Sequence, residues 1–164
     1  MVRELHGSLD GSGLRVLVLA SRWNQFVTER LVDGAVRRLR ECGVYEDDIT
    51  VAWVPGAFEL PVAAKWGAAS GRFDAVVCLG AVIRGETPHF DHVANGASQG
   101  IGRVALETGV PVAFGVLTCD NAEQALARAG GSHGHKGEEA AATAVEMARL
   151  REFLGSAVSE EDEP

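Results

Sequence analysis

Four short apolar runs, rich in β-branched residues and separated by stretches of helical periodicity, leave this chain few ways to fold. The runs are LRVLVLA at 14–20, ITVAWV at 49–54, AVVCLGAVI at 75–83 and VAFGVL at 112–117. Each is short for a helix and reads as a strand, and the nine-residue run at 75–83 reads as one buried on both faces. Between the first two, residues 25–42 carry Val32, Ala35, Val36 and Leu39 at helical spacing, and Gly43 ends that helix. An apolar helix is predicted at 58–69 and another from Pro88 to about residue 107, with Gly109 and Pro111 marking its end. Asp120 and Glu123 have the spacing of a capping box and start a short helix. A glycine-rich loop at 130–135 then leads into a last helix over 137–154.

Strands that alternate with helices must run parallel, because each needs a crossover, and crossovers are right-handed. The predicted fold is therefore α/β, a flavodoxin-like three-layer sandwich with a four-stranded parallel sheet flanked by helices. At 164 residues with 46% hydrophobic content, the chain has the size of one domain with one good core. That domain is expected at 14–154, after a flexible lead-in at 1–13 and before an acidic, disordered tail at 155–164. A net charge of −8 argues against nucleic acid or an anionic membrane as partner, since both need a positive field. The three cysteines are widely spaced, so neither a disulfide framework nor a zinc ribbon is expected, and Cys78 reads as a buried hydrophobe. With no apolar leader and no run long enough to span a bilayer, a cytoplasmic location is expected.

In such sheets ligands sit beyond the C-terminal ends of the strands, so the residues just after each run are the informative ones. They are Arg22, Trp23 and Asn24; then PGAFE at 55–59; then RGETPH at 84–89; then Thr118, Cys119 and Asp120. The third segment is a strand, a glycine turn and a helix N-terminus in that order, with Thr87 as the expected N-cap and Pro88 as the first helical residue. Unpaired backbone N–H groups at such a terminus stabilise an anion, and a phosphate is expected there. His89 lies in the first helical turn, a setting suited to a base. Trp23 could stack on a flat heterocycle or simply pack in the core. Glu59 could accept hydrogen bonds from a polyol or simply compensate a helix dipole. Arg128 and Lys136 flank the glycine-rich loop as surface charges or, for Arg128, as an anion clamp.

Two other patterns are set aside. GASQG at 96–100 fits a nucleophile motif, but that motif needs a strand immediately before it, and here it falls inside a helix, where small residues permit close packing. His89, His92, His133 and His135 lack cysteine or acidic partners at ligand spacing, so no metal is expected.

Taken together, SRWN at 21–24, VPGAFELP at 54–61, LGAVIRGETPHFD at 79–91, and RAG with HKG at 128–130 and 135–137 closely resemble the lumazine synthase family. The resemblance spans about 12–154. It implies condensation of 5-amino-6-(D-ribitylamino)uracil with 3,4-dihydroxy-2-butanone 4-phosphate to 6,7-dimethyl-8-ribityllumazine, with release of phosphate and water and without a cofactor. It also implies site roles. Trp23, with Asn24 beside it, would stack on the pyrimidine. Ala57, Phe58 and Glu59 would hold the ring and the ribityl chain, and Ala81, Val82 and Ile83 would meet the ring edge. Gly85, Glu86 and Thr87 would bind phosphate through N–H groups, with Arg128 adding charge. Lys136 would lie near the ring, Phe114 would close the pocket from a neighbouring subunit, and His89 would transfer protons.

Two departures bear on this reading. Trp23 stands where the family more often has phenylalanine, and Glu86 puts a negative side chain beside the phosphate, so it must turn away or pair with Arg84 or Arg128. The resemblance further implies homo-pentamers, in some members assembled into shells of sixty subunits with riboflavin synthase as candidate cargo, and the short 130–136 loop favours the shell. A non-catalytic flavin or lumazine binder, a related riboflavin synthase and a purely structural shell protein are the rivals.

Overall fold

The computed structural model describes residues 1–159. The elements run β1 (Val16–Ser21), α1 (Gln25–Glu41), β2 (Ile49–Val54), α2 (Leu60–Ala69), β3 (Ala75–Ile83), α3 (His89–Thr108), β4 (Val112–Cys119), α4 (Ala122–Ala127), β5 (Ala129–Gly131), β6 (Gly134–His135) and α5 (Lys136–Ser159). β1 to β4 form one parallel sheet in the order β2-β1-β3-β4. The three-layer α/β sandwich is the fold of this chain.

That order follows from handedness. The crossover from β1 to β2 moves one way along the sheet, and those from β2 to β3 and β3 to β4 move the other way. Right-handed crossovers then put α1 on one face and α2 and α3 on the opposite face. The side chains agree. Val16, Val18, Val77 and Leu79 pack with Leu31, Leu39 and Val145 of α1 and α5, whereas Leu17, Leu19, Val76 and Cys78 pack with Leu60, Ile101 and Val104 of α2 and α3. β3 is buried along nearly its whole length, as its unbroken apolar run demands. Each fully buried leucine in these layers contributes about 1.5–3 kcal/mol relative to exposure.

Several boundaries differ from expectation for visible reasons. β1 starts at Val16, not at residue 14, because the Leu14 N–H turns back to the Gly11 carbonyl and the Arg15 N–H goes to the Asp74 carboxylate. β4 continues to Cys119 because Thr118 and Cys119 pair with Val82 and Ile83. Residues 57–59 form a separate 3₁₀ turn before α2. Pro88 is the N-cap of α3, one position later than the Thr87 cap expected. The cap of α4 is Asn121, whose side chain accepts from the Gln124 N–H, and not Asp120. The supposed glycine-rich loop is a β5–β6 hairpin, with Gly130 and Gly134 at φ 98° and 84°. α5 runs to Ser159, so the start of the expected tail is helical, and residues 160–164 lie outside the described residues. Within the expected lead-in, the Arg149 guanidinium donates to the Asp10 and Ser12 carbonyls at 2.6 Å each, tying that stretch to α5.

All three cysteines are free and buried. Burial pushes each thiol up from its ordinary value, Cys78 to about 12. An alkylating reagent at about pH 8 should therefore leave Cys78 unmodified in the folded protein and modify it in denaturant, because the thiolate is the reacting form. Equal labelling in both states, read by mass spectrometry, would show that β3 is not the sealed central strand described here.

Candidate active site

The reversal of crossover direction opens a crevice beyond the C-terminal ends of β1 and β3, where open α/β sheets place ligands. A cavity of about 460 Å³ occupies that place. Its lining comes from four chain segments: Trp23 and Asn24 after β1, Ala57, Phe58 and Glu59 after β2, Ala81, Val82 and Ile83 ending β3, and His89, His92 and Val93 on α3. All but His92 and Val93 are residues the sequence singled out. His92 appeared there only as a metal-ligand candidate, yet its place one helical turn from His89 was the signal that both face the same way.

Backbone bonds stitch the rim loops into one piece. The Arg22 N–H donates to the Val54 carbonyl at 2.8 Å and the Trp23 N–H to the Pro55 carbonyl at 3.0 Å. Asn24 then takes the left-handed conformation, φ 64°, the sole non-glycine residue among those described to do so. Its side-chain amide donates to the Ala81 carbonyl at 2.8 Å, clamping the first loop to the end of β3. Asparagine tolerates this conformation better than most residues because its short polar side chain can bond locally. Asn24 and the Ala81 carbonyl thus already serve each other.

The aromatic walls rest on glycines. A Cβ at Gly56 would meet the Trp23 ring, with Cζ3 at 2.6 Å, and a Cβ at Gly96 would meet Cε2 of Phe58 at 2.7 Å. Seated this way, Trp23 and Phe58 remain 64% and 60% exposed, with faces free for a flat ligand. Gly96 and Gly100 therefore do serve packing: the first receives Phe58 and the second lies against Pro61. Glu59 caps its own turn, its Oε2 accepting from the Gly56 N–H at 3.0 Å, which leaves Oε1 uncommitted to that bond.

The α3 N-terminus lies at one end of the cavity. Its N-cap, Pro88, makes no side-chain capping bond. Among the described residues no hydrogen bond uses the N–H groups of Gly85, Glu86 or Thr87, all exposed. This is the arrangement that stabilises an anion. Arg84 braces the turn: its guanidinium bonds Asp120 at 3.0 Å, approaches Asp91 at 3.8 Å and lies 4.4 Å from the Phe90 ring centre. Pairs this exposed contribute about 0–1 kcal/mol each, so their effect is mainly geometric. Arg84 is thus engaged by Asp120 and Asp91, not by Glu86.

Phe114, Lys136 and Arg128 do not line the cavity. Phe114 sits on the edge strand β4, 40% exposed. Lys136 begins α5, with Nζ 3.6 Å from Glu139, and Arg128 ends α4 with its guanidinium turned to the Gln124 carbonyl at 3.0 Å. His133 and His135 belong to the hairpin region, also away from the cavity lining. Among the described residues no cluster of three or more His, Cys, Asp or Glu is placed to hold a metal. The cavity thus combines aromatic walls, two imidazoles and an end where backbone N–H groups have no partner among the described residues. A family model described as 6,7-dimethyl-8-ribityllumazine synthase matches residues 13–152.

Proposed function

The chain belongs to the 6,7-dimethyl-8-ribityllumazine synthase family, transferases of riboflavin biosynthesis, and from that premise we propose how its cavity is used. The reaction is the condensation of 5-amino-6-(D-ribitylamino)uracil with 3,4-dihydroxy-2-butanone 4-phosphate to 6,7-dimethyl-8-ribityllumazine, with loss of phosphate and water. The observation that carries the reading is the meeting of an aromatic-walled cavity with the uncapped N-terminus of α3.

The pyrimidine stacks on Trp23, its edge faces Ala81 to Ile83, and the ribityl hydroxyls bond Glu59, with Ala57 and Phe58 alongside. Phosphate takes the N–H groups of Gly85, Glu86 and Thr87, the Glu86 carboxylate pointing away. Holding the two substrates together replaces a bimolecular encounter by a local one, and proximity supplies much of the acceleration. The uracil amine forms an imine with the ketone, phosphate leaves, and ring closure follows. His89 removes and returns protons near the phosphate end.

Phe114, Lys136 and Arg128 reach the cavity in a homo-pentamer, each from a neighbouring subunit. The exposed Phe114 on an edge strand supports this assembly, and the short hairpin supports a shell of pentamers. No helix among the described residues is long and apolar enough to cross a membrane, and we place the enzyme in the cytoplasm.

The test is direct. Purified protein with both substrates should form product, followed by absorbance and fluorescence, faster than a protein-free control does. Rates equal to that control, together with tight binding of lumazine or riboflavin, would replace the synthase reading with that of a binding protein.

A further inference from the structure

Four polar side chains line the cavity: Asn24, Glu59, His89 and His92. Two are committed to the fold. The Asn24 amide holds the Ala81 carbonyl, and Glu59 Oε2 holds the Gly56 N–H. His89 and His92 have no hydrogen-bond or ion-pair partner among the described residues, and both are exposed toward the cavity. Their spacing on α3 sets their Cβ atoms about 5–6 Å apart on one face. His89 stands at the anion-binding turn, and His92 lies about 4.5 Å further along the helix axis. Beyond it, Gly96 receives the Phe58 ring. The cavity therefore presents one free imidazole at its phosphate end and a second toward its aromatic end.

We infer that His92 is a second proton-transfer group, serving the carbonyl end of the phosphorylated substrate while His89 serves the phosphate end. The inference rests on the synthase reading above. In that substrate the ketone carbon lies two carbons beyond the phosphoester carbon, so a substrate anchored at the turn extends along α3 toward His92. The amine nitrogen attacks the ketone carbon, a C–N bond forms, and a proton moves from nitrogen to oxygen to give the carbinolamine. Protonated His92 then donates its proton to the hydroxyl oxygen. The C–O bond breaks with its electron pair, water departs, and the nitrogen lone pair forms the C=N bond. The remaining N–H proton passes to His92, which recovers its starting charge. His89 takes the proton from the carbon next to the phosphoester carbon, and phosphate leaves with the electrons of its C–O bond. Two imidazoles one turn apart thus divide dehydration from elimination, and a single base need not move between the two ends.

The experiment uses the full chain and its His92→Gln, His92→Phe and His89→Gln variants, with kcat and KM for both substrates measured from about pH 5 to 8. Glutamine keeps hydrogen bonding but carries no proton in that range. His92→Gln should lower kcat about tenfold with KM for both substrates little changed, and should remove one ionisation from the pH profile of kcat. His92→Phe should be at least as slow. His89→Gln should retain the ionisation that His92→Gln removes. Wild-type kcat and pH profile in His92→Gln would overturn the proposal, as would a rise in KM alone, which would make His92 a binding residue. Failure of the wild-type protein to exceed the protein-free control would bring down the synthase reading and this inference with it. Acceleration by wild type with an unaltered His92→Gln variant would bring down the inference alone.

Discussion

Gly137→Ala should lower the stability of the folded chain by about 3 kcal/mol, although the substitution favours helix. Gly137 lies in the first turn of α5, where that helix presses on α1. A Cβ there would run into the Leu31 carbonyl oxygen, with the carbonyl carbon at 2.9 Å. The obstacle is backbone of a buried helix residue, so no rotamer change relieves it, and α5 must retreat from α1. The replaced glycine recovers at most about 1 kcal/mol in helix propensity, and less in the first turn. Overpacking into an unyielding wall outweighs that gain. A drop in Tm of about 10 °C is expected at this chain length. Gly102→Ala on α3 is the control: nothing lies within 4 Å of its added methyl, so the same chemical change should leave Tm level or raise it. Should Gly137→Ala melt with the wild type, the close approach of α1 and α5 would be wrong.

The second large effect is on turnover. His89→Ala should reduce kcat about a hundredfold, at the low end of what a positioned acid or base contributes. The low end is expected because proximity acts without His89, and in the proposed binding mode Trp23, Glu59 and the turn N–H groups still hold both substrates. KM should accordingly change by less than about threefold. Thermal melting should match the wild type, since the His89 side chain is exposed and has no hydrogen-bond or ion-pair partner among the described residues. Loss of activity through a raised KM, with kcat preserved, would assign His89 to binding instead.

The sheet was legible because parallel strands write themselves as short apolar runs: ITVAWV and AVVCLGAVI coincide with β2 and β3 residue for residue, although only β3 is buried and the edge strand β2 keeps Val51 and Trp53 exposed. The site was legible for a related reason. Ligands gather where strands end, so naming the residues after each run named most of the cavity lining. The misreadings are local and polar. Pro88 replaced Thr87 as the cap of α3, and Asn121 replaced Asp120 as the cap of α4, because adjacent residues compete for one cap on backbone geometry that composition does not encode. The β5–β6 hairpin was hidden by its glycines, which signal a turn without signalling the pairing of Ala129 with His135. The partners of Arg84 could not be read either, since Asp120 is brought to it only by the pairing of β3 with β4.

The shape a ligand meets is set partly by side chains that are missing. Trp23 and Phe58 take their positions from the hollows at Gly56 and Gly96, neither of which lines the cavity. These two positions act as hidden adjusting screws: one methyl at either would shift an aromatic wall while every lining residue kept its identity. Variation in substrate preference can thus arise at sites that a comparison of lining residues would pass over as unchanged, and an engineer reshaping the cleft could begin behind its walls.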